Sequence, residues 1–289
     1  EYDTQQSIYM DLLKELNEAQ AALNGASAAA MKSADNFYQG DASKWRKFAN
    51  SLMLRVAMRM SKVDPAAAEQ WVKTAVANGV FESDADNCML MHAGGLTTND
   101  SSEPYAKIYS HEDRGNFFLT EYFVDLLKST NDPRLSLIGT VCEDPTISVQ
   151  AGSDFQYGDS APAVQKGLPS GFSDSPDSPW FVGNKYPEFK DEDYRSTYRS
   201  RYSTINRYTY SDPTGPTFVC TYAQTQLLLA EAAVRGWVDG SAQTYYENGV
   251  RAAMRQFAQF PNGTALYNQY LTQAAIDRYL ILQGRPRRY

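Results

Sequence analysis

The chain has 289 residues, 43% of them hydrophobic, enough for one large core or two small ones. Its net charge of -7 argues against nucleic acid or an anionic membrane surface as the main partner, and no apolar run approaches the ~18 residues that would cross a bilayer. Tyrosine is abundant, with 20 Tyr against 13 Phe and 4 Trp, a bias toward binding surfaces where a ring offers a flat face and a polar tip. Cys88, Cys142 and Cys220 are odd in number and widely spaced, so they form neither a metal-ligand pattern nor a redox motif.

In chain order, Ile8, Tyr9, Leu12, Leu13, Leu16, Ala19 and Leu23 mark the apolar face of a first helix, stopped by Asn24-Gly25. Lys44 to Arg59 follows, with Trp45, Phe48, Ala49, Leu52, Met53, Val56 and Met60 on one stripe. Its other face carries Lys44, Arg46, Lys47, Asn50, Arg55 and Arg59, and a solvated or salt-bridged surface is the commoner fate of such a face. Asp41 or Ser43 can cap this helix. Asp64-Pro65 opens the next, which presents Ala68, Trp71, Val72, Ala75 and Val76 and ends at Asn78-Gly79. Residues 41–79 are therefore expected to form a helical hairpin, with Trp45 and Trp71 largely buried.

Arg114 to Lys128 contains a short helix, closed by a turn at Asn131-Asp132-Pro133. From 130 to 216 the texture changes to Pro, Gly, Ser and Asp mixed with aromatic residues, predicting an ordered, loop-rich insertion. A second hairpin is expected over 217–258. Its first helix runs from about Phe218 to Arg235, with Val219, Tyr222, Ala223, Leu227, Ala230 and Val234 inward. Its second carries Ala242, Tyr245, Tyr246, Gly249, Val250, Ala253, Met254 and Phe257. A last helix spans about Ala265 to Leu280. Each hairpin occupies about 40 residues, near the ~34 of a tetratricopeptide unit. The fold class is mainly α: tetratricopeptide-like hairpins with a long aromatic-rich insertion.

Five landmarks in order resemble the SusD/RagB family of outer-membrane nutrient-binding lipoproteins. They are YDTQQSIYMDLLKELNEAQAAL from Tyr2, KWRKFANSLMLRVAMR from Lys44 with its lead-in NFYQGD from Asn36, NDPRL from Asn131, TYAQTQLLLAEAAVRGW from Thr221, and YYENGVRAAM from Tyr245. Gln224 stands where the family commonly has Glu, and the expected tail is not recognisable after Gln273. The resemblance implies one SusD-like domain over 1–289, partial relative to the family, with a lipid-bearing cysteine and further helices before Glu1. It also implies non-catalytic capture of oligosaccharides at the cell surface and delivery to a SusC-like TonB-dependent transporter, without a cofactor or metal. Membrane contact would come only through the lipid anchor. Peptide capture is the alternative within the family; a glycoside hydrolase or a pure scaffold is the alternative outside it.

A sugar offers flat C–H faces and hydroxyls, which an aromatic ring and nearby polar side chains satisfy together. Trp180, Tyr186, Tyr194 and Tyr198, with Asp177, Asn184 and Arg195, are the first candidate group. Tyr105, Tyr109, His111 and Asp113 are the second. Packing is the competing role for any one of these rings. Catalytic patterns are missing: His92 and His111 lie in no HExxH, and Gly167 to Gly171 has the wrong spacing for a nucleophile elbow. Asp84, Asp86 and Asn87 suggest calcium only weakly, because no glycine or distal Glu completes the loop.

Overall fold

A computed structural model describes residues 2–26, 31–94, 117–142, 158–171 and 202–283. In chain order its elements are α1 (Gln5–Ala22), α2 (Ala42–Arg59), α3 (Pro65–Asn78), β1 (Cys88–Met91), α4 (Glu121–Ser129), α5 (Leu135–Ile138), β2 (Gly139–Cys142), β3 (Gly158–Asp159), β4 (Thr204–Ile205), β5 (Pro216–Cys220), α6 (Tyr222–Val234), α7 (Ala242–Arg255), α8 (Thr264–Tyr270) and α9 (Gln273–Gln283). The fold is mainly helical, and the chain divides into two compact units.

The first unit comprises residues 1–90 and 217–256. Its helices start at capping side chains: Thr4, Asp41, Asp64, Thr221 and Ser241 each accept from a backbone N–H in the first turn. Pro65 occupies the start of α3, and Gly79 closes it at φ 94°, a left-handed conformation that costs glycine little. The α2–α3 and α6–α7 hairpins form as expected, and α2 also packs against α1 and α6. Leu13, Met53, Leu54, Val72, Leu229 and Trp237 fill the shared core.

The stripes are rotated from their expected positions. In α2 the buried residues include Ala49, Asn50, Ser51, Met53, Leu54, Ala57 and Met58, while Leu52 and Val56 are only half-buried. A helix gripped by α1, α3 and α6 has no single inward face, which defeats a one-stripe reading. The buried polar residues hold the hairpin: Asn50 Nδ2 donates to the Asn78 and Gly79 carbonyls at 3.2 and 2.9 Å, and Ser51 Oγ accepts from Phe81 N at 2.8 Å. The basic residues become straps within the unit. Arg46 donates to Gln20 and Asn24, Lys47 to Glu82 and Asp86, and Arg55 to Gln224 and the Val219 carbonyl.

Trp45 and Trp71 are half-buried, not largely buried, because each sits at the rim of its cluster. The helix expected from Phe218 begins at Tyr222. Thr217-Phe218-Val219-Cys220 is rich in β-branched and aromatic residues and pairs as β5 with β1, and Thr221 then caps α6. Val219 and Leu227 are exposed, and Val234 is 78% exposed, so these three expected core positions are corrected. Gly249 explains the position of Leu227: a Cβ there would meet Leu227 Cγ at 2.7 Å, so α6 and α7 approach closely at that point.

The second unit comprises residues 91–216 and 257–289. Its helix α4 begins later than expected, at Glu121, where Thr120 Oγ1 accepts from Phe123 N. Asn131, at φ 52°, makes the predicted turn, and Asp132 then grips Arg134 through Nε and Nη2. The single C-terminal helix expected from Ala265 is two, broken at Leu271; Thr272 accepts from Ala275 N and starts α9.

Candidate functional site

A short stretch before α2 is a closely bonded turn of the first unit. Asp35 accepts from the backbone N–H groups of Phe37, Tyr38 and Gly40 and from the Trp45 indole at 2.8 Å. Burial raises the Asp35 pKa, but these four donors outweigh it and hold the carboxyl at about 2. Trp45 meets Phe37, Tyr38 and Phe48 edge to face, with centroids 5.2–5.9 Å apart. Tyr38 OH donates to the Asp86 carbonyl at 2.8 Å. The turn is thus a clamp on the next segment, and its residues are structural.

The folded-state pKa of Asp35 lies below the ordinary 3.8, so its stabilisation is present above that value and lost as pH falls through about 2. Asp35→Ala is expected to cost about 1–2 kcal/mol at neutral pH, allowing for partial solvent screening. Denaturant titrations of both proteins check this: the difference between them should shrink toward the acid end of that window.

Asp84, Asp86 and Asn87 serve the same kind of purpose. Asp86 accepts from Glu82 N, Ser83 N and Lys47 Nζ, Asp84 from Arg255 at 2.6 Å, and Asn87 from Tyr222 N at 2.6 Å. Each thus accepts from an internal donor, and Asn87 fixes the start of α6. Among the described residues no three His, Cys, Asp or Glu side chains come together as a metal site.

All eleven predicted ligand residues lie outside the described residues: Trp180, Tyr186, Tyr194, Tyr198, Asp177, Asn184 and Arg195 of the first group, and Tyr105, Tyr109, His111 and Asp113 of the second. What the structure describes is the base from which those segments leave. In the second unit, β2 pairs antiparallel with β3, Cys142 opposite Gly158, and with β4, Thr140 opposite Thr204. Thr204 also bridges Phe118, and Leu119 N donates to the Ser203 carbonyl at 2.8 Å. Ser203 in turn accepts from Lys166 N through Oγ at 2.9 Å and donates its own N–H to the Lys166 carbonyl at 2.7 Å.

This small sheet therefore gathers the roots of three segments. The chain on either side of 143–157 is joined through Cys142 and Gly158, and the chain flanking 172–201 through Lys166 and Ser203. The end of 95–116 is fixed beside them through Phe118 and Leu119. The two predicted groups thus spring from one base, which sequence spacing could not reveal.

Buried amides lock the base. Gln165 Nε2 donates to the Gly139 carbonyl at 3.0 Å and its Oε1 accepts from Ser203 Oγ at 2.6 Å; Asn206 Nδ2 donates to the Ser136 carbonyl and to Ser160 Oγ, each at 3.0 Å. Gly167 lies so close that an added Cβ would fall 2.3 Å from the Thr120 carbonyl oxygen and 2.5 Å from Glu121 N. Both are backbone and cannot swing aside. Gly167→Ala is expected to cost about 1–3 kcal/mol, measured by thermal unfolding, and to loosen the roots of the candidate segments.

Three aromatics of the insertion fall within the described residues, Tyr202, Tyr208 and Tyr210; Tyr208 is half-buried, its backbone N–H donating to Asn206 Oδ1 at 2.9 Å. Tyr202 is fully buried, with Lys166 Nζ 5.2 Å from its ring centroid, and is core. Tyr210 is partly exposed but meets Phe257 and Phe260 edge to face. In the first unit, a cleft of about 470 Å³ is lined by Tyr9, Arg59, Met60 and Asp64, among others. None of the predicted ligand residues borders it.

Helical hairpins, an aromatic clamp before α2, and a small sheet that flanks three long segments are the described features of this mainly helical chain. The family described as "Starch-binding associating with outer membrane" matches residues 1–281, and the chain belongs to this SusD-like family. A solved chitin-binding protein is 33% identical, with a TM-score of 0.69 and coverage of 97% of this chain and 53% of its own. A SusD-like structure from Bacteroidetes is 26% identical, with a TM-score of 0.75 and coverage of 96% and 58%. A chitin-binding SusD homologue from Flavobacterium johnsoniae is 26% identical, with a TM-score of 0.62 and coverage of 93% and 47%. The chain thus spans about half the length of these structures. No curated protein sequence matches it. Among the described residues, no helix is long and apolar enough to cross a membrane.

Proposed function

We propose that this chain is part of a cell-surface glycan-binding protein that captures oligosaccharides without cleaving them and passes them to a SusC-like TonB-dependent transporter. The observation that carries the reading is the family match over residues 1–281, reinforced by a 33% identical relative that binds chitin. The single match also supports treating 1–289 as one SusD-like domain. Trp180, Tyr186, Tyr194 and Tyr198 supply the stacking faces in this reading, with Asp177, Asn184 and Arg195 on the hydroxyls. Tyr105, Tyr109, His111 and Asp113 are the second candidate group for the same ligand. The outer face of the outer membrane is the location, held by a lipid anchor of the parent protein.

The reading needs no cofactor, metal or nucleophile, because capture rests on ring stacking and neutral or charged hydrogen bonds. Affinity electrophoresis through gels containing soluble starch or a chitin derivative tests it, with the recovered glycan analysed for cleavage. Retarded migration with intact glycan is the expected result. Product release abolished by mutating one carboxylate pair would identify a hydrolase instead.

A further inference from the structure

The first unit holds two buried thiols to which the proposed binding gives no role. Cys88 and Cys220 are 1% and 2% exposed and belong to one cluster with Tyr38 and Phe81. They also lie on the two strands of one sheet: Cys88 is the first residue of β1 and Cys220 the last of β5. β1 is where the chain leaves the first unit, and β5 is where it returns. The Tyr38 hydroxyl lies against the Cys88 thiol, in the same cluster as Cys220. Both residues are thiols in this structure.

We infer that Cys88 and Cys220 form a disulfide across β1 and β5 when a small-molecule disulfide oxidises the folded protein. The two cysteines share one buried cluster on hydrogen-bonded strands, and such strands bring opposed Cα atoms to roughly 4.5–5.5 Å, within the range a disulfide spans. One cysteine thiolate attacks a sulfur of the reagent and expels its first thiolate, leaving a mixed disulfide. The other cysteine thiolate then attacks the protein sulfur and expels the second. The two cysteine sulfurs are oxidised, the reagent is reduced to two thiols, and the two cysteine protons end on them. Burial raises both thiols above their ordinary pKa, so exchange is slow at neutral pH and proceeds through opening of the strand pair. The product closes residues 89–219 into a covalent loop, an effect independent of what the protein binds.

The test is to incubate the whole protein with excess oxidised glutathione, block free thiols under denaturing conditions, and map the peptides by mass spectrometry. The expected product is one cross-linked peptide joining Cys88 to Cys220, lost on adding dithiothreitol and absent in Cys88→Ala. A melting temperature raised by roughly 5–10 °C should accompany it, because closing a long loop restricts the unfolded chain. Recovery of Cys88 and Cys220 both blocked, both glutathionylated, or joined to other cysteines would overturn the inference. The peptide map of the unsubstituted chain decides among these results, so the test holds even if a cysteine variant folds poorly.

Discussion

Trp45→Ala should lower the unfolding free energy by about 3–4 kcal/mol, the largest effect expected from one side chain of the first hairpin. Half-burial alone would predict less. The excess comes from three edge-to-face ring contacts and the 2.8 Å bond from the indole to Asp35. Losing that bond weakens the turn it shares with Phe37, Tyr38 and Gly40, and with it the approach to α2. Trp45→Phe keeps most of the ring packing and removes only the donor, so it should cost about 1–2 kcal/mol. Trp71→Ala is the comparison, because that indole packs at the edge of the main core and not in the ring cluster around Asp35. It should fall between the two. Equilibrium urea unfolding of the three variants gives the order directly, and a Trp45→Ala cost no greater than that of Trp71→Ala would remove the clamp.

Trp180→Ala should weaken glycan binding by ~1–3 kcal/mol, roughly 5–150-fold, while leaving the melting temperature nearly unchanged. The magnitude follows from stacking on another flat ligand class, nucleic-acid bases. Pro179 restricts the backbone beside the indole, and Asp177 and Asn184 are close enough in sequence to serve sugar hydroxyls. Gly167→Ala makes a useful contrast. It should lower stability by disturbing the base at Thr120 and Glu121 while leaving every candidate ring in the chain. Loss of stability without loss of affinity per folded molecule in Trp180→Ala would mean that the indole is packing.

The helices are legible in the sequence because their signals are local. Asp41 and Asp64-Pro65 announce helix starts, and Gly79 announces a stop, through bonds made within one turn. Which face is buried is less legible, since that depends on how many neighbours a helix has. Leu52 and Val56 miss their expected places because α2 is gripped from several sides, and Asn50 goes inward to bind the end of α3. Phe218 to Cys220 reads as helix because its apolar spacing suits either period over so short a run. The common base of the candidate segments cannot be read at all. It rests on Phe118, Ser203 and Lys166, residues far apart in the chain and ordinary in type. The resemblance to SusD-like proteins supplies what local chemistry cannot, since the proposed glycan capture would leave no catalytic pattern to find.

The most direct test of glycan capture is isothermal titration of the protein with chitin- and starch-derived oligosaccharides, run beside a panel of unstructured peptides. Saturable heat with at least one saccharide series, none with the peptides, and recovery of the saccharide uncleaved is the predicted result. Binding of peptides alone, or a saccharide recovered in fragments, would contradict it.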